Sequence, residues 1–390
     1  MPLKTRPRRL VWVYPEYIRT ALNAVPRLEM TKEMRRLGWT TDLIAVGPRG
    51  TQLAQGVEVL CFPWPKMHYV RYAVYHGHVV LYMLQNWRSI DIVLFTPFSA
   101  PWIFPLRLLR IFSKKRPVLV MDTRTVAMDA EDQATFRQKF RAVFLAVMKR
   151  SANRWADGQT AITQRMAEHL RIPPNKLWGT WPSGVDAARF SAARPKRKWP
   201  DSGGPVIIVY IGTLSYERNL MSLGKAVVES NRQGMNFELL LYGEGTEKRD
   251  LEAYAGRADG SVKVHGAIPH DQVPGLLARA HVGTLPFPDE EKYRVSSPIK
   301  LFEYLGSGMP ILATRIVCHT DVLGNADYVF WAEGSDGEAL LRALRQVWKN
   351  RLQLSILGEK ALGKARDCTW AASAERLDHA LNHGLASFRR

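Results

Sequence analysis

In the segment SSPIKLFEYLGSGMPILA, residues 296–313, Lys300 and Glu303 stand three apart, on one side of the helix that the pattern predicts. Ser297 is a favourable N-cap and Pro298 suits the first helical position. The first N–H groups, on Ile299, Lys300 and Leu301, then offer donors to a phosphate, and Lys300 adds a full positive charge beside them. The Glu303 carboxylate can accept from both hydroxyls of a ribose diol. The segment therefore suits the two ends of a nucleoside diphosphate. Gly306 and Gly308 stop the helix, Pro310 bars its resumption, and Pro310–Thr314 reads as a buried strand. An ordinary helix-to-strand connection in a parallel sheet is the alternative.

Three further strands of the same half end in glycine. Val206–Tyr210 leads into Gly212 and Thr213, with Arg218 placed to fork two phosphate oxygens. Phe237–Tyr242 runs into Gly243, Glu244 and Gly245, and Val262–Val264 into His265, Gly266 and Ala267, where a base can stack. Val282–Pro286, Ile311–Thr314 and Tyr328–Trp331 complete the strands of this half, alternating with helices over Leu220–Asn231, Thr246–Ala255, His270–Arg279 and Pro298–Leu305. The first half alternates in the same way. Leu10–Tyr14, Thr41–Val46, Val57–Phe62, Asp91–Thr96, Val118–Met121 and Gln159–Thr163 read as strands, with helices over Val25–Leu37 and Phe136–Trp155. The expected fold is α/β, with two doubly wound Rossmann-like domains facing a central cleft, over 1–190 and 205–369. The Pro/Gly/charge-rich residues 191–204 read as the linker, and a final helix within Ala361–Ser387, about 370–390, is expected to close back on the first domain.

The net charge of +19 is unevenly placed. Residues 1–200 hold 33 Lys and Arg against 13 Asp and Glu, a balance of +20; residues 201–390 hold 22 against 23, a balance of −1. A basic half suits nucleic acid, an anionic membrane surface or an acidic substrate. No zinc-finger, KH, RRM or homeodomain pattern accompanies the charge, so nucleic acid is not expected. Three widely spaced cysteines, Cys61, Cys318 and Cys368, form neither a disulfide framework nor a zinc pattern. The apolar stretch Val93–Phe112 is broken by Pro97, Pro101, Pro105, Arg107 and Arg110, short of the roughly 18 uninterrupted residues of a membrane span. The expectation is a cytoplasmic protein, peripheral on the inner face of the membrane.

From about Arg150 to Thr314 the chain resembles the GT-B glycosyltransferases of the family-4 type. The resemblance rests on Lys149–Gly158, on Trp181-Pro-Ser-Gly-Val-Asp-Ala-Ala-Arg-Phe190, which matches the interdomain signature, and on the glycine-ended strands and residues 296–313, all in family order. It implies transfer of a sugar from a nucleotide diphosphate sugar held mainly by the second domain. Residue by residue it implies a glycine loop at Gly212 and Thr213, a base segment at His265–Ile268, a diphosphate contact at Arg218, and Lys300 with the turn Ser297–Leu301 against the pyrophosphate. Glu303 matches the ribose-binding second glutamate of E-x7-E. The first glutamate is replaced by Val295, leaving Glu290 or Glu291 to reach in from the same loop, and the usual paired glycines after the first strand are replaced by Tyr17–Leu22.

Stabilising a departing pyrophosphate needs positive groups and helix dipoles, which Arg218, Lys300 and the helix start supply, so no metal and no further cofactor are expected. A retaining reaction, the commoner course in this family, lets a departing phosphate oxygen deprotonate the acceptor; an inverting one needs a carboxylate base from the first domain. Asp122 at the end of Val118–Met121 is the candidate, with Arg124 to pair with it or bind phosphate, and Asp129 as second choice; a turn cap is the plainer role for Asp122. Residues 63–110 are rich in aromatics and bases, among them Trp64, His68, Tyr69, Arg71, Tyr72, Tyr75, Tyr82, Trp87 and Trp102, and Lys114–Arg116 follow. This composition suits docking on anionic lipid, with a glycan or lipid-linked acceptor, although core aromatics beside a solvated basic face explain it too. A sugar-nucleotide epimerase of the same architecture and a non-catalytic basic adaptor are the alternative functions.

Overall fold

The computed structural model describes residues 6–18, 24–67, 70–111, 117–126, 136–201 and 203–389. Contacts divide the chain into two compact units, Met1–Pro182 with Trp370–Arg390, and Ser183–Thr369.

The first unit is built on an eight-stranded sheet. Its strands are β1 (Arg9–Tyr17), β2 (Thr40–Val46), β3 (Gly50–Ala54), β4 (Val57–Phe62), β5 (Ile92–Phe95), β6 (Val118–Thr123), β7 (Gly158–Ala161) and β8 (Leu177–Thr180). They run in the order β3-β4-β2-β1-β5-β6-β7-β8, all pairs parallel except β3 with β4. Side chains of a strand alternate between faces, so β1 feeds two cores. Leu10, Trp12 and Tyr14 join Leu28, Met30, Trp370, Leu377 and Leu381 on one face. Val11 and Val13 join Tyr75, Val79, Met83 and Ile103 on the other. The helices Ala24–Arg36 and Trp370–Arg389 thus share one face, and Arg71–Asn86 covers the opposite one. The terminal helix is separate from Leu354–Ala365, the break falling at residues 366–369.

The short strands β3 and β8, and the Arg71–Asn86 helix, go beyond the elements that periodicity predicts. Burial explains the last. Tyr75 and Trp87 are core residues, and Tyr82 donates to Asp42 Oδ2 (3.1 Å) and accepts from Arg9 Nη2 (2.8 Å). Most of the aromatics expected to face a membrane therefore pack into the unit; His68, Tyr69 and Lys114–Arg116 lie outside the described residues.

The second unit holds β9 (Val206–Ile211), β10 (Phe237–Tyr242), β11 (Val262–His265), β12 (Val282–Leu285), β13 (Ile311–Thr314) and β14 (Val329–Ala332) in a parallel sheet of order β11-β10-β9-β12-β13-β14. The strand order reverses between β9 and β12, the switch point at which doubly wound sheets bind ligands. Residues 191–204 belong to this unit. Arg197 is buried and donates to the carbonyls of Gly308 (2.8 Å) and Leu277 (3.1 Å), and Arg194 pairs with Glu359. Proline and charge gave this stretch the look of a linker, but its arginines anchor it to the body of the unit.

In the first unit, Trp178 is gripped between glycines: a Cβ at Gly158 or at Gly384 would stand 2.1 Å from its ring atoms. Gly158→Ala is expected to destabilise the protein by about 3 kcal/mol through overpacking, read as a lower midpoint in urea unfolding with the slope unchanged.

Candidate functional site

The loops after β9 and β10 meet backbone to backbone. Gly212 N–H donates to the Tyr242 carbonyl (2.9 Å), Leu214 N–H to that of Glu244 (2.9 Å), and Gly243 N–H to that of His265 (3.1 Å). Gly243 has φ +155°, and a Cβ there would stand 1.8 Å from the Gly212 carbonyl oxygen; one at Gly245 would stand 2.0 Å from that of Leu214. Only glycine permits this approach. Thr213 accepts at its carbonyl from the Tyr210 hydroxyl (3.1 Å). His265 stacks on Tyr242 with centroids 4.4 Å apart, while Gly266 and Ala267 are exposed. The Ala267 N–H points at Glu244 Oε1 (3.4 Å), itself paired with Lys248 (2.8 Å).

The loop after β12 is joined to the loop after β9 across the switch point. Tyr293 donates its hydroxyl to the Glu217 carbonyl (2.7 Å), and Asn219 Nδ2 donates to that of Pro286 (3.1 Å). Arg218 lies on the shelf this makes, its guanidinium 4.8 Å from the Phe287 ring and 5.3 Å from that of Tyr293. Among the described residues no carboxylate pairs with Arg218, and its buried Nε has no hydrogen-bond partner. A guanidinium oriented by aromatic faces and left without a counter-charge is suited to an anionic ligand.

The Ile299–Gly306 helix begins at the same end of the sheet. Tyr304 fixes it: a Cβ at Gly283 would stand 2.3 Å from the Tyr304 ring, so the ring lies flat on β12. The helix start differs in detail from the sequence reading. Pro298 occupies the N-cap position, and Ser297 serves another purpose. Ser297 Oγ accepts from Ser183 N–H (3.0 Å), and Ser183 Oγ donates to the Ser297 carbonyl (2.8 Å), tying the start to Ser183. Leu301 N–H already donates to the Pro298 carbonyl (3.1 Å), so the first-turn donors open to a ligand are those of Ile299 and Lys300.

Glu303 is buried and doubly held. Oε2 accepts from Lys300 Nζ (2.8 Å) and Oε1 from His270 Nε2 (2.9 Å). A carboxylate only accepts, so His270 must carry its proton on Nε2. Burial pushes the Glu303 carboxyl up, but the Lys300 charge and the His270 bond outweigh it and bring it down to about 2. The sequence reading missed His270, which it placed only as a helix start. The clue was the position itself: a histidine four residues beyond Gly266, at the mouth of a strand.

Val295, where the resemblance implies a sugar-contacting glutamate, is buried, and Glu290 pairs with Lys292 (2.7 Å). In the first unit Asp122 lies inside β6, every residue of which is buried, and is 1% exposed, with Oδ1 accepting from Thr160 Oγ1 (2.8 Å) and Trp181 Nε1 (3.0 Å). Arg124 donates to the Trp181 carbonyl (2.8 Å), with no hydrogen bond to Asp122 among the described residues. Asp129 lies outside the described residues.

Residues 205–361 match the family model described as glycosyl transferases group 1. The matched stretch covers the second unit's sheet and leaves the first unit outside it. The chain is 27% identical over 259 residues to a 2-deoxystreptamine glucosyltransferase of Streptomyces kanamyceticus, a match spanning 63% of this chain and 64% of that protein. Less than two thirds of that relative is therefore spanned. Among solved structures, sucrose-phosphate synthase from Thermosynechococcus elongatus superposes with TM-score 0.77 at 13% identity, covering 97% of this chain and 100% of that one. Anabaena HepE in complex with UDP-glucose superposes at 0.70 and 13% identity, covering 97% and 99%. These likenesses show the GT-B fold.

The Glu303 carboxyl is depressed below its ordinary value of 4.5, so its ion pair with Lys300 and its hydrogen bond from His270 stabilise the folded second unit above that pH and weaken as pH falls toward about 2. The stability difference between the wild type and Glu303→Gln, from urea unfolding at stepped pH, is expected to be level above pH ~5 and to shrink below it.

Proposed function

We propose that the protein transfers a sugar from a nucleotide diphosphate sugar to a glycan or lipid-linked acceptor, on the cytoplasmic face of a membrane, in cell-surface polysaccharide or glycolipid synthesis. The observation that carries the donor half is Arg218. It is a cation without a counter-charge on an aromatic shelf at the sheet's switch point, in a domain matching the group 1 family. HepE, of the same fold, binds UDP-glucose.

In this reading the donor pyrophosphate takes Arg218 and the N–H groups of Ile299 and Lys300, whose positive character stabilises the charge that develops on the leaving group. Lys300 is shared between that charge and Glu303. Glu303, ionised and bonded on one lone pair of each oxygen, keeps a lone pair on each for the ribose hydroxyls. His265, on Tyr242, and the exposed Gly266–Ala267 backbone take the base. Transfer proceeds with retention and without a metal, the departing phosphate deprotonating the acceptor. The burial of Asp122 and the pairing of its Oδ1 favour this course over an aspartate base.

Support for the membrane face comes from the Phe136–Trp155 helix. Phe140, Val143 and Val147, spaced to share one side, are 67%, 62% and 50% exposed, and the basic Arg150 and Arg154 follow. Apolar residues beside basic ones suit the interface of anionic lipid. Among the described residues no helix is long and apolar enough to cross a membrane.

Lys300→Ala and Arg218→Ala are each expected to lower kcat/KM by about 100-fold with the best donor of a UDP-, GDP- and ADP-sugar panel. Unchanged donor binding and turnover in both variants overturns the donor site. Val143→Asp with Val147→Asp is expected to abolish flotation with anionic vesicles; equal flotation of the wild type with neutral and anionic vesicles overturns the membrane reading.

A further inference from the structure

Charged groups meet at the carboxyl end of β6 in the first unit, and their hydrogen bonding is incomplete. Asp122 lies in β6, Arg124 directly after it, and Arg27 in the Ala24–Arg36 helix; they are 1%, 6% and 6% exposed. Asp122 Oδ2 has no hydrogen-bond partner among the described residues and stands 3.9 Å from Arg27 Nη2. The Arg27 guanidinium lies 5.2 Å from the Tyr14 ring centroid, with Nε unpartnered. Arg124 donates from Nη1 to the Trp181 carbonyl and lies 3.4 Å from the Trp181 ring centroid, with Nη2 unpartnered.

A buried pair in the same unit is more nearly complete, with, among the described residues, only Arg110 Nε unpartnered. Both Nη atoms of Arg110 engage the two Asp157 oxygens, Nη2 also bonds the Pro117 carbonyl (2.7 Å), and Leu119 N–H fills Asp157 Oδ2 (2.8 Å). At the β6 end two guanidiniums face one carboxylate, leaving one positive charge uncompensated and donor N–H groups unused. Buried charge in that state is costly unless something completes it. Lys149 Nζ, on the Thr125 carbonyl (3.3 Å), adds another cation one residue further on.

We propose that this strand end binds one anionic group of a substrate, a phosphate monoester or a carboxylate, with Arg124 and Arg27 as donors and Asp122 holding them apart. The guanidinium fork matches either anion in a bidentate way, and the Trp181 and Tyr14 rings hold the two forks in orientation. In the transfer proposed above the anionic molecule is the acceptor, but the site is argued from the first unit alone and does not rest on that reading.

The test uses the full chain carrying Arg218→Ala and Lys300→Ala, so that phosphate sites of the second unit are disabled. Inorganic phosphate, glucuronate and, as uncharged control, glucose are titrated by calorimetry. Saturable binding of phosphate alone supports a phosphorylated substrate, and of glucuronate alone a carboxylated one. Either is expected to weaken about tenfold or more on adding Arg124→Gln or Arg27→Gln. Where circular dichroism shows Arg124→Gln unfolded, Arg124→Lys, which keeps the charge and loses the fork, takes its place with the same expected weakening. Absence of saturable anion binding, or binding that these changes leave intact, overturns the proposal. Donor binding by the chain without these substitutions is measured separately, so either proposal can fail alone.

Discussion

No side chain fits between the loops after β9 and β10, and the candidate donor site depends on that. With Gly243 and Gly245 lying against the Gly212 and Leu214 carbonyls, the two strand ends are held by backbone alone. A Cβ at either position would push the β9 loop away from β10. That loop carries Thr213 and, a few residues on, Arg218, whose place is then completed from the other side by the Tyr293 hydroxyl on Glu217 and the Pro286 carbonyl that accepts from Asn219. The position of one guanidinium is thus set by a contact in which it takes no part.

The charges of the second unit fall into two kinds. Lys300 is neutralised by Glu303 in a buried, doubly bonded arrangement, whereas Arg218 has aromatic rings for neighbours and no carboxylate among the described residues. The first kind holds its shape before any ligand arrives, because the desolvated carboxylate is already satisfied. The second leaves attraction unused, and so can be spent on a ligand. The β6 end of the first unit mixes the two kinds, since Asp122 is half satisfied and the arginines around it exceed it in charge. A net charge of +19 becomes informative only when its few unpaired members are located.

Much of the frame was legible from local pattern. Most strands of the second sheet lie on an apolar run bounded by Gly, Pro or Asp, and the glycines at 212, 243 and 245 mark close approaches whichever chain carries them. The helix at Ile299 was legible from Ser-Ser-Pro followed by helical periodicity, although Pro298 rather than Ser297 stands at the N-cap. Ser297 has a better partner in Ser183, 114 residues earlier, and no local rule contains that partner. Residues 191–204 show the same limit, since composition could not reveal that Arg197 reaches the Gly308 and Leu277 carbonyls.

By itself the sequence determined the two alternating α/β halves, the uneven charge and the order of the glycine-ended strands, because periodicity and backbone freedom are local properties. Tertiary structure alone decided which polar groups meet. It placed His270 on Glu303, left Arg218 without a counter-charge, took Asp122 into the interior beside Arg27, and turned most of the aromatics of residues 63–110 inward. The reason is distance along the chain: hydrogen bonds and ion pairs act over a few ångströms, and these partners are tens of residues apart until the sheets form.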